Sequence, residues 1–103
     1  MKLITKKQLE QLPKLYASES TQLDDKKVWI KYFTPDSSYT WYVIEGEVTQ
    51  NREDLTLFFG LVDSGTDREL GYFTLKQLLE VRGKLGLPVE RDLSFKPKLI
   101  KDL

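Results

Sequence analysis

The chain has 103 residues and a mass of 12.0 kDa, with 40% hydrophobic and 31% charged residues. This length is typical of one domain and this composition of a soluble globular protein, so we expect a single domain over residues 1–103. The sequence contains no Cys and no His. Their absence excludes thiol nucleophiles, Ser-His-Asp triads, zinc fingers and imidazole metal ligands.

The charges cancel overall but are unevenly distributed along the chain. Residues 1–34 and 75–103 each carry a net charge of +3, whereas residues 35–74 carry −6. A neutral chain lacks the general attraction that holds basic proteins on nucleic acid. No apolar stretch is long enough to span a membrane, and the basic N-terminus is not followed by the apolar run of a secretory signal. We therefore expect no membrane contact and a cytoplasmic location.

The first elements in chain order are a short helix and a series of strands. Thr5 is expected to cap the helix, which Pro13 ends, and a polar loop covers residues 17–27. Runs of β-branched and aromatic residues separated by turn residues then predict strands. These four strands are residues 28–34, 39–48, 55–62 and 70–73, with a polar connection at 49–54.

A second helix is predicted after the fourth strand. Thr74 is its expected cap, and the helix should run to about Arg82, with Gly83 as its C-terminal cap. Ser94 and Phe95 suggest a fifth, short edge strand. The expected architecture is α+β, an antiparallel four- to five-stranded meander sheet with a short N-terminal helix and a helix after the fourth strand.

The first hairpin allows a prediction of which side chains share a face. Placing Thr34 opposite Tyr39 makes three cross-strand pairs on the expected core face, namely Tyr32 with Trp41, Ile30 with Val43 and Val28 with Glu45. The other face would carry Trp29, Lys31, Phe33, Thr40, Tyr42 and Ile44. In the third strand the alternating set expected to face the core is Leu55, Leu57, Phe59 and Leu61.

The aromatic residues around one lysine are the first candidate binding site. Trp29, Phe33 and Tyr42 around Lys31 could stack on unpaired bases or form a contact with another protein. Alternatively, one terminal helix simply covers this face. Arg91, in a loop after the second helix, could bind a carboxylate or phosphate of a partner, or tie its own loop to the domain.

Carboxylates are the remaining candidates for catalysis or metal binding. Glu45 and Glu47 would share one face of a strand, as a general acid and base require. The acids of residues 63–69 could hold a hard cation, but they lack the ligand order of an EF-hand. No phosphate-binding glycine motif and no activated serine is present. We therefore expect no metal, no cofactor and no enzymatic activity.

Five segments resemble the domain of unknown function 2958 family. They are Phe33–Asp36, Thr40–Tyr42, Phe58–Val62, Glu69–Leu75 and Val81–Phe95, and the last is the most specific. The resemblance covers nearly the whole chain. It implies a small bacterial protein encoded on plasmids, phages or conjugative elements, and it supplies no catalytic residues. By association alone, it favours an interaction role.

Together these observations lead to one preferred hypothesis and two alternatives. The preferred function is a non-enzymatic module that binds another protein through a sheet face or the loop after the second helix. The first alternative is a single-stranded nucleic-acid-binding accessory protein, and the second, weaker one is a carboxylate-based hydrolase.

Overall fold

The computed structural model describes residues 1–103 as an α+β protein built on a five-stranded antiparallel sheet. The strands are β1 (Lys27–Val28), β2 (Ile30–Phe33), β3 (Thr40–Thr49), β4 (Arg52–Asp63), β5 (Arg68–Thr74), β6 (Glu90–Arg91) and β7 (Lys98–Leu99). The helices are α1 (Lys6–Gln11) and α2 (Leu75–Glu80), with single 3-10 turns at Leu23–Asp25 and Ile100–Asp102. The large sheet has the order β5-β4-β3-β2-β6, and β1 pairs with β7. The predicted fold class is therefore confirmed.

Both helices begin with the same capping arrangement. The Thr5 hydroxyl accepts from the Gln8 amide while the Gln8 side chain accepts from the Thr5 amide, and Thr74 and Gln77 repeat this pair of bonds. The two predicted caps are confirmed. The predicted end of α2 is wrong, because the helix stops at Glu80 and Gly83 belongs to the loop that follows.

The β3–β4 hairpin is longer than the sequence suggested. The polar connection expected at residues 49–54 is a two-residue turn, with Thr49 opposite Arg52. Gln50 and Asn51 both adopt left-handed conformations, with φ of 54° and 56°. This geometry matches the twist of the flanking strands, so pairing continues to the turn.

One core lies on the sheet face that carries both helices. Leu3, Leu12, Leu75 and Leu78 pack there against aromatic and aliphatic residues of β2–β5. The prediction for β4 is wrong, because the fully buried Phe58 belongs to this core and Leu61 to the opposite face. The register explains the difference: Phe58 lies opposite Phe73, and directly paired residues share a face.

A second core lies on the other face, beneath the C-terminal segment. Val28, Tyr42, Ile44, Leu61 and Ile100 form it, and Phe95 packs against them. The pairs of Ile30 with Val43 and Tyr32 with Trp41 are confirmed. The pairing of Val28 with Glu45 is wrong, since Trp29 interrupts the strand and Val28 pairs with Lys98. Its side chain consequently joins the opposite face.

The fifth strand of the sheet is β6 rather than the predicted Ser94–Phe95 segment. Glu90 lies opposite Phe33 and Arg91 opposite Tyr32. Phe95 instead packs on Tyr42, with ring centroids 6.4 Å apart. Neither helix of the structure has the length and apolar character that a membrane crossing requires.

Candidate functional site

The largest concave feature is a groove of about 960 Å³ between the β2–β3 turn and the segment after α2. One wall is formed by residues 35–41, which include Tyr39 and Trp41, and the other by residues 81–84. Two of the sequence segments that carry the family resemblance, Phe33–Asp36 and Val81–Phe95, thus meet at this site. We refer to it below as the β2–β3 groove.

Asp36 joins the two walls of the β2–β3 groove. Its Oδ2 accepts hydrogen bonds from the backbone amides of Leu85 at 2.6 Å and Leu87 at 3.3 Å. Its Oδ1 is buried against Gly83, where an added Cβ would overlap the carboxylate. Only a glycine fits at position 83, because the Asp36 carboxylate lies against its backbone. Through its bonds to the two amides, Asp36 also fixes the position of the segment after α2 relative to the β2–β3 turn.

The segment after α2 forms a small hairpin with defined geometry. The Gly83 amide donates to the Leu87 carbonyl at 2.9 Å, and the Gly86 amide donates to the Gly83 carbonyl at 3.0 Å. Arg82 and Pro88 form a β-bridge at its base, and Gly86 takes the positive φ of 80° that the turn needs. We call residues 82–88 the recognition hairpin. Its hydrogen bonds hold the loop in one shape.

Aromatic and cationic side chains line the β2–β3 groove. The rings of Tyr39 and Trp41 stack with centroids 5.7 Å apart and an interplanar angle of 24°. Trp41 is buried, whereas Tyr39 is 46% exposed and offers a ring face. Nη1 of Arg82 donates to the carbonyls of Leu79 and Val81, which fixes the guanidinium at the end of α2. Lys84 adds a second exposed cation beside it.

The tip of the recognition hairpin is apolar. Leu85 is 82% exposed, the highest value among the large hydrophobic residues of the chain. Leu87 and Leu79 are also exposed nearby in sequence. The hydrogen-bonded turn orders the backbone of Leu85 before it contacts a partner, so only its side-chain freedom remains to be lost on binding. Such a residue is suited to anchor a partner protein.

The sequence-predicted aromatic site is not one surface. Trp29 packs against the core on the helix side, and Lys27 lies over its ring at 4.3 Å. Tyr42 belongs to the opposite core, beneath Phe95. The C-terminal segment therefore covers the face that would have presented Tyr42. The face is covered at Tyr42, but the expectation that a terminal helix covers it is wrong, because the covering residues Phe95 and Ile100 lie outside both α-helices.

Three of the predicted site residues do lie together at the β6 edge. Lys31, Phe33 and Arg91 line a smaller cavity of about 330 Å³. Nζ of Lys31 is 3.5 Å from the Asp92 carboxylate, and Nη1 of Arg91 donates to the Gln8 side chain at 3.3 Å. Both cations are thus engaged with their own loop and helix, which leaves them less available to a partner.

The predicted catalytic pair of carboxylates is occupied by backbone amides. Glu45 is 3% exposed, and its oxygens accept from the amides of Tyr16 at 2.7 Å and Ser18 at 2.9 Å and from the Ser18 hydroxyl. Glu47 accepts from the Leu15 amide at 3.0 Å. The buried Lys26 donates to the Ser18 carbonyl at 2.5 Å. This arrangement attaches the loop after α1 to β3.

Of the acids of residues 63–69, Asp63 holds the β4–β5 turn. The Gly65 amide donates to Asp63 at 2.8 Å, and Arg68 donates to its other oxygen at 3.0 Å. The bond from the Gly65 amide, together with Arg68, lowers the pKa of Asp63 below its ordinary value. No group of three or more acidic side chains lies close enough together to hold a metal ion.

Sequence reasoning named the loop after the second helix but missed the β2–β3 groove. The sequence pattern predicts turn chemistry for Asp36 and a helix cap for Gly83. The available signal was the two-glycine run Gly83-Lys84-Leu85-Gly86, which is typical of a tight turn that exposes its central residues. Nothing in the sequence indicated that the Asp36 carboxylate would bind this turn.

The fold and the groove define a small α+β protein with one main antiparallel sheet and a cleft at one end of it. A family model described as protein of unknown function (DUF2958) matches residues 3–100. The chain therefore belongs to this family, as its sequence segments suggested. Neither the curated proteins nor the solved structures include a match to the chain.

Proposed function

We propose that the protein is a non-enzymatic binding module that docks a short acidic segment of a partner protein in the β2–β3 groove. The carrying observation is that the exposed Tyr39 and the cations Arg82 and Lys84 line the groove, while Leu85 follows Lys84 in the chain and is itself exposed. Leu85 and Tyr39 supply exposed apolar surface, and Arg82 supplies positive charge. An apolar side chain flanked by acids complements this surface.

The choice of a protein over a nucleic acid rests on what the groove exposes. Single-stranded nucleic acid is bound by several aromatic faces along a basic track. Only Tyr39 offers an exposed ring here, because Trp41 is buried behind it. An exposed leucine contributes little to phosphate binding but much to a protein contact.

The setting implied by the family resemblance agrees with a binding role. A small protein of a bacterial plasmid, phage or conjugative element acts on other components of the element or its host, in the cytoplasm. This setting supports a protein partner for the β2–β3 groove.

Selection from a displayed peptide library tests the proposal without knowledge of the partner. Peptides selected on the wild-type protein should carry an apolar residue flanked by Asp or Glu. Their binding should weaken at least tenfold in the charge reversal Arg82→Glu, which corresponds to about 1.4 kcal/mol. It should also weaken in Leu85→Ala, which removes the anchor.

A matched control reverses a charge outside the groove. Lys14→Glu lies beyond the opposite end of β3 and should leave binding of the selected peptides unchanged. Equal binding by Arg82→Glu and wild type would contradict the proposal. So would tight binding of a single-stranded oligonucleotide at about 50 mM salt that competes with the peptides, because this result supports the nucleic-acid alternative.

A further inference from the structure

Strand β5 forms an open edge of the sheet. It spans Arg68–Thr74 and pairs with β4 alone, from Leu57 opposite Thr74 to Asp63 opposite Arg68, without a bulge. The other edge is the two-residue β6. Exposed edges usually carry prolines, bulges or lysines that prevent further pairing. β5 has no proline, lysine or bulge, and its two charged residues, Arg68 and Glu69, both lie at its beginning.

An apolar strip accompanies this open edge. Leu70 is 42% exposed and Tyr72 is 52% exposed, and both project to the same side of β5. The Tyr72 ring lies 5.1 Å from that of Phe59, and Leu70 pairs with Leu61. The C-terminal segment covers the inner part of this face over Tyr42, and Tyr16 of the loop after α1 lies beside Tyr72, while Leu70 and Tyr72 remain about half exposed. The strip is therefore continuous with the second core.

We propose that β5 pairs with β5 of a second copy of this chain, in an antiparallel register with the two-fold axis at Gly71. Leu70 then lies directly opposite Tyr72 of the other copy, twice across the axis. Aliphatic and aromatic side chains in directly opposed positions stabilise a strand pair. The two sheets join into one sheet of ten strands, and the exposed strips become a shared apolar surface.

The sequence of β5 favours this register over its neighbours. Centred on Gly71, the pairing sets Arg68 opposite Thr74 and Glu69 opposite Phe73, so no like charges face each other. Moving the axis to Leu70 places Tyr72 against Arg68, and moving it to Tyr72 places Leu70 against Thr74. Only the Gly71 register pairs both apolar residues with each other. This self-complementarity is the reason to infer a second copy rather than an unrelated strand.

Cysteine cross-linking tests both the dimer and its register. Because the chain has no natural Cys, any disulfide must come from the introduced residue. A Cβ at Gly71 meets nothing within 4 Å, so Gly71→Cys should fold normally. Directly opposed Cα atoms are about 4.5–5.5 Å apart, within the span of a disulfide. In the proposed register two copies of Glu69→Cys lie roughly 13 Å apart across the pair.

We expect Gly71→Cys to form a disulfide-linked dimer under mild oxidation and Glu69→Cys to form no disulfide. An equal mixture of Leu70→Cys and Tyr72→Cys proteins should cross-link, since these exposed positions oppose each other. Equal cross-linking of Gly71→Cys and Glu69→Cys would indicate random collision and overturn the register. No cross-linking of either single variant or of the mixture would overturn the dimer.

Light scattering coupled to size-exclusion chromatography gives an independent measurement. The wild-type protein should have the mass of a dimer. The double variant Leu70→Lys/Tyr72→Lys should have the mass of a monomer and an unchanged far-ultraviolet circular dichroism spectrum. The control Leu85→Lys changes a more exposed leucine away from β5 and should remain dimeric. A monomeric wild-type protein at high concentration, or a dimer lost only in Leu85→Lys, would contradict the proposal.

Discussion

Asp36 and Gly83 are in contact across the β2–β3 groove, and there is no space between them for a Cβ atom. The contact places the Asp36 carboxylate against the amides of the recognition hairpin, at Leu85 and Leu87. The shape of the proposed binding site therefore depends on a glycine outside any helix or strand.

Gly83→Ala should destabilise the protein, because the new methyl group must displace the Asp36 carboxylate from its hydrogen bonds. The expected cost is about 1–3 kcal/mol, typical of a forced overlap at a tightly packed position. The loss is measured as a lower midpoint in urea unfolding. Gly71→Ala is the matched control, since its Cβ enters open space and should not destabilise the fold. Equal midpoints for the two variants would contradict the close contact.

Glu45→Ala should release the loop after α1. The substitution leaves the amides of Tyr16 and Ser18 without their acceptor, and a hydrogen bond to a charged group contributes about 1.5–3 kcal/mol. Hydrogen exchange at these two amides should accelerate together with the fall in unfolding free energy. Glu47→Ala removes one bond at an exposed position and should have a much smaller effect. Unchanged exchange at Ser18 in Glu45→Ala would refute this role.

Tyr32 should make the fold sensitive to alkaline pH. Its ring is fully buried and its hydroxyl donates to the Leu3 carbonyl at 2.7 Å. Burial raises the pKa of Tyr32 well above its ordinary value of 10.0, and nearby Arg91 only partly opposes this shift. Above about pH 10 the unfolded chain ionises while the native chain stays protonated, so stability falls as pH rises.

The contribution of Tyr32 is isolated by comparison with Tyr32→Phe. This variant should lose about 1 kcal/mol near neutral pH for the missing hydrogen bond. Between pH 10 and 11 the free energy of unfolding of the wild-type protein should fall more steeply than that of the variant, by up to about 1.4 kcal/mol per pH unit. Urea unfolding at a series of pH values measures both quantities. Parallel pH profiles for the two proteins would contradict the assignment.

Ile100→Ala should weaken the cover over the second core. Ile100 is buried among Val28, Tyr42 and Ile44, so truncation leaves a cavity that costs about 2–5 kcal/mol. Thermal unfolding measures the loss. Leu93→Ala is the control, because Leu93 is exposed in the preceding loop and should change stability by less than about 0.5 kcal/mol. A similar small change for Ile100→Ala would mean that the C-terminal segment does not support this face.

The local elements could be predicted because their signals are local. Thr5 and Thr74 each stand three residues before a glutamine, and both capping boxes form. The register of β2 with β3 followed from a short turn between them. The face of β4 could not be predicted in the same way. The pairing of β4 with β3 and β5 determines which of its residues face the helices. A shift of one residue in that pairing moves every side chain of the strand to the other face of the sheet.

The candidate site was harder to predict for the same reason. Arg91 and Lys31 looked available as isolated residues, but Gln8 and Asp92 come from other segments and engage them. Tyr42 looked exposed because its cover, Phe95, lies far away in the sequence. The β2–β3 groove depends on the contact of Asp36 with Gly83, which no local sequence pattern predicts.

The sequence by itself determined which kinds of catalytic and metal-binding site are excluded, the order of the main helices and strands, and the family to which the chain belongs. Those properties depend on residue types and on neighbours a few positions apart. Only the tertiary structure decided which faces are covered, which charges are paired and where an open cleft and an open edge remain. These properties depend on contacts between segments that are distant in sequence, such as Asp36 with Gly83. Such contacts stabilise the protein only once folding has brought the segments together.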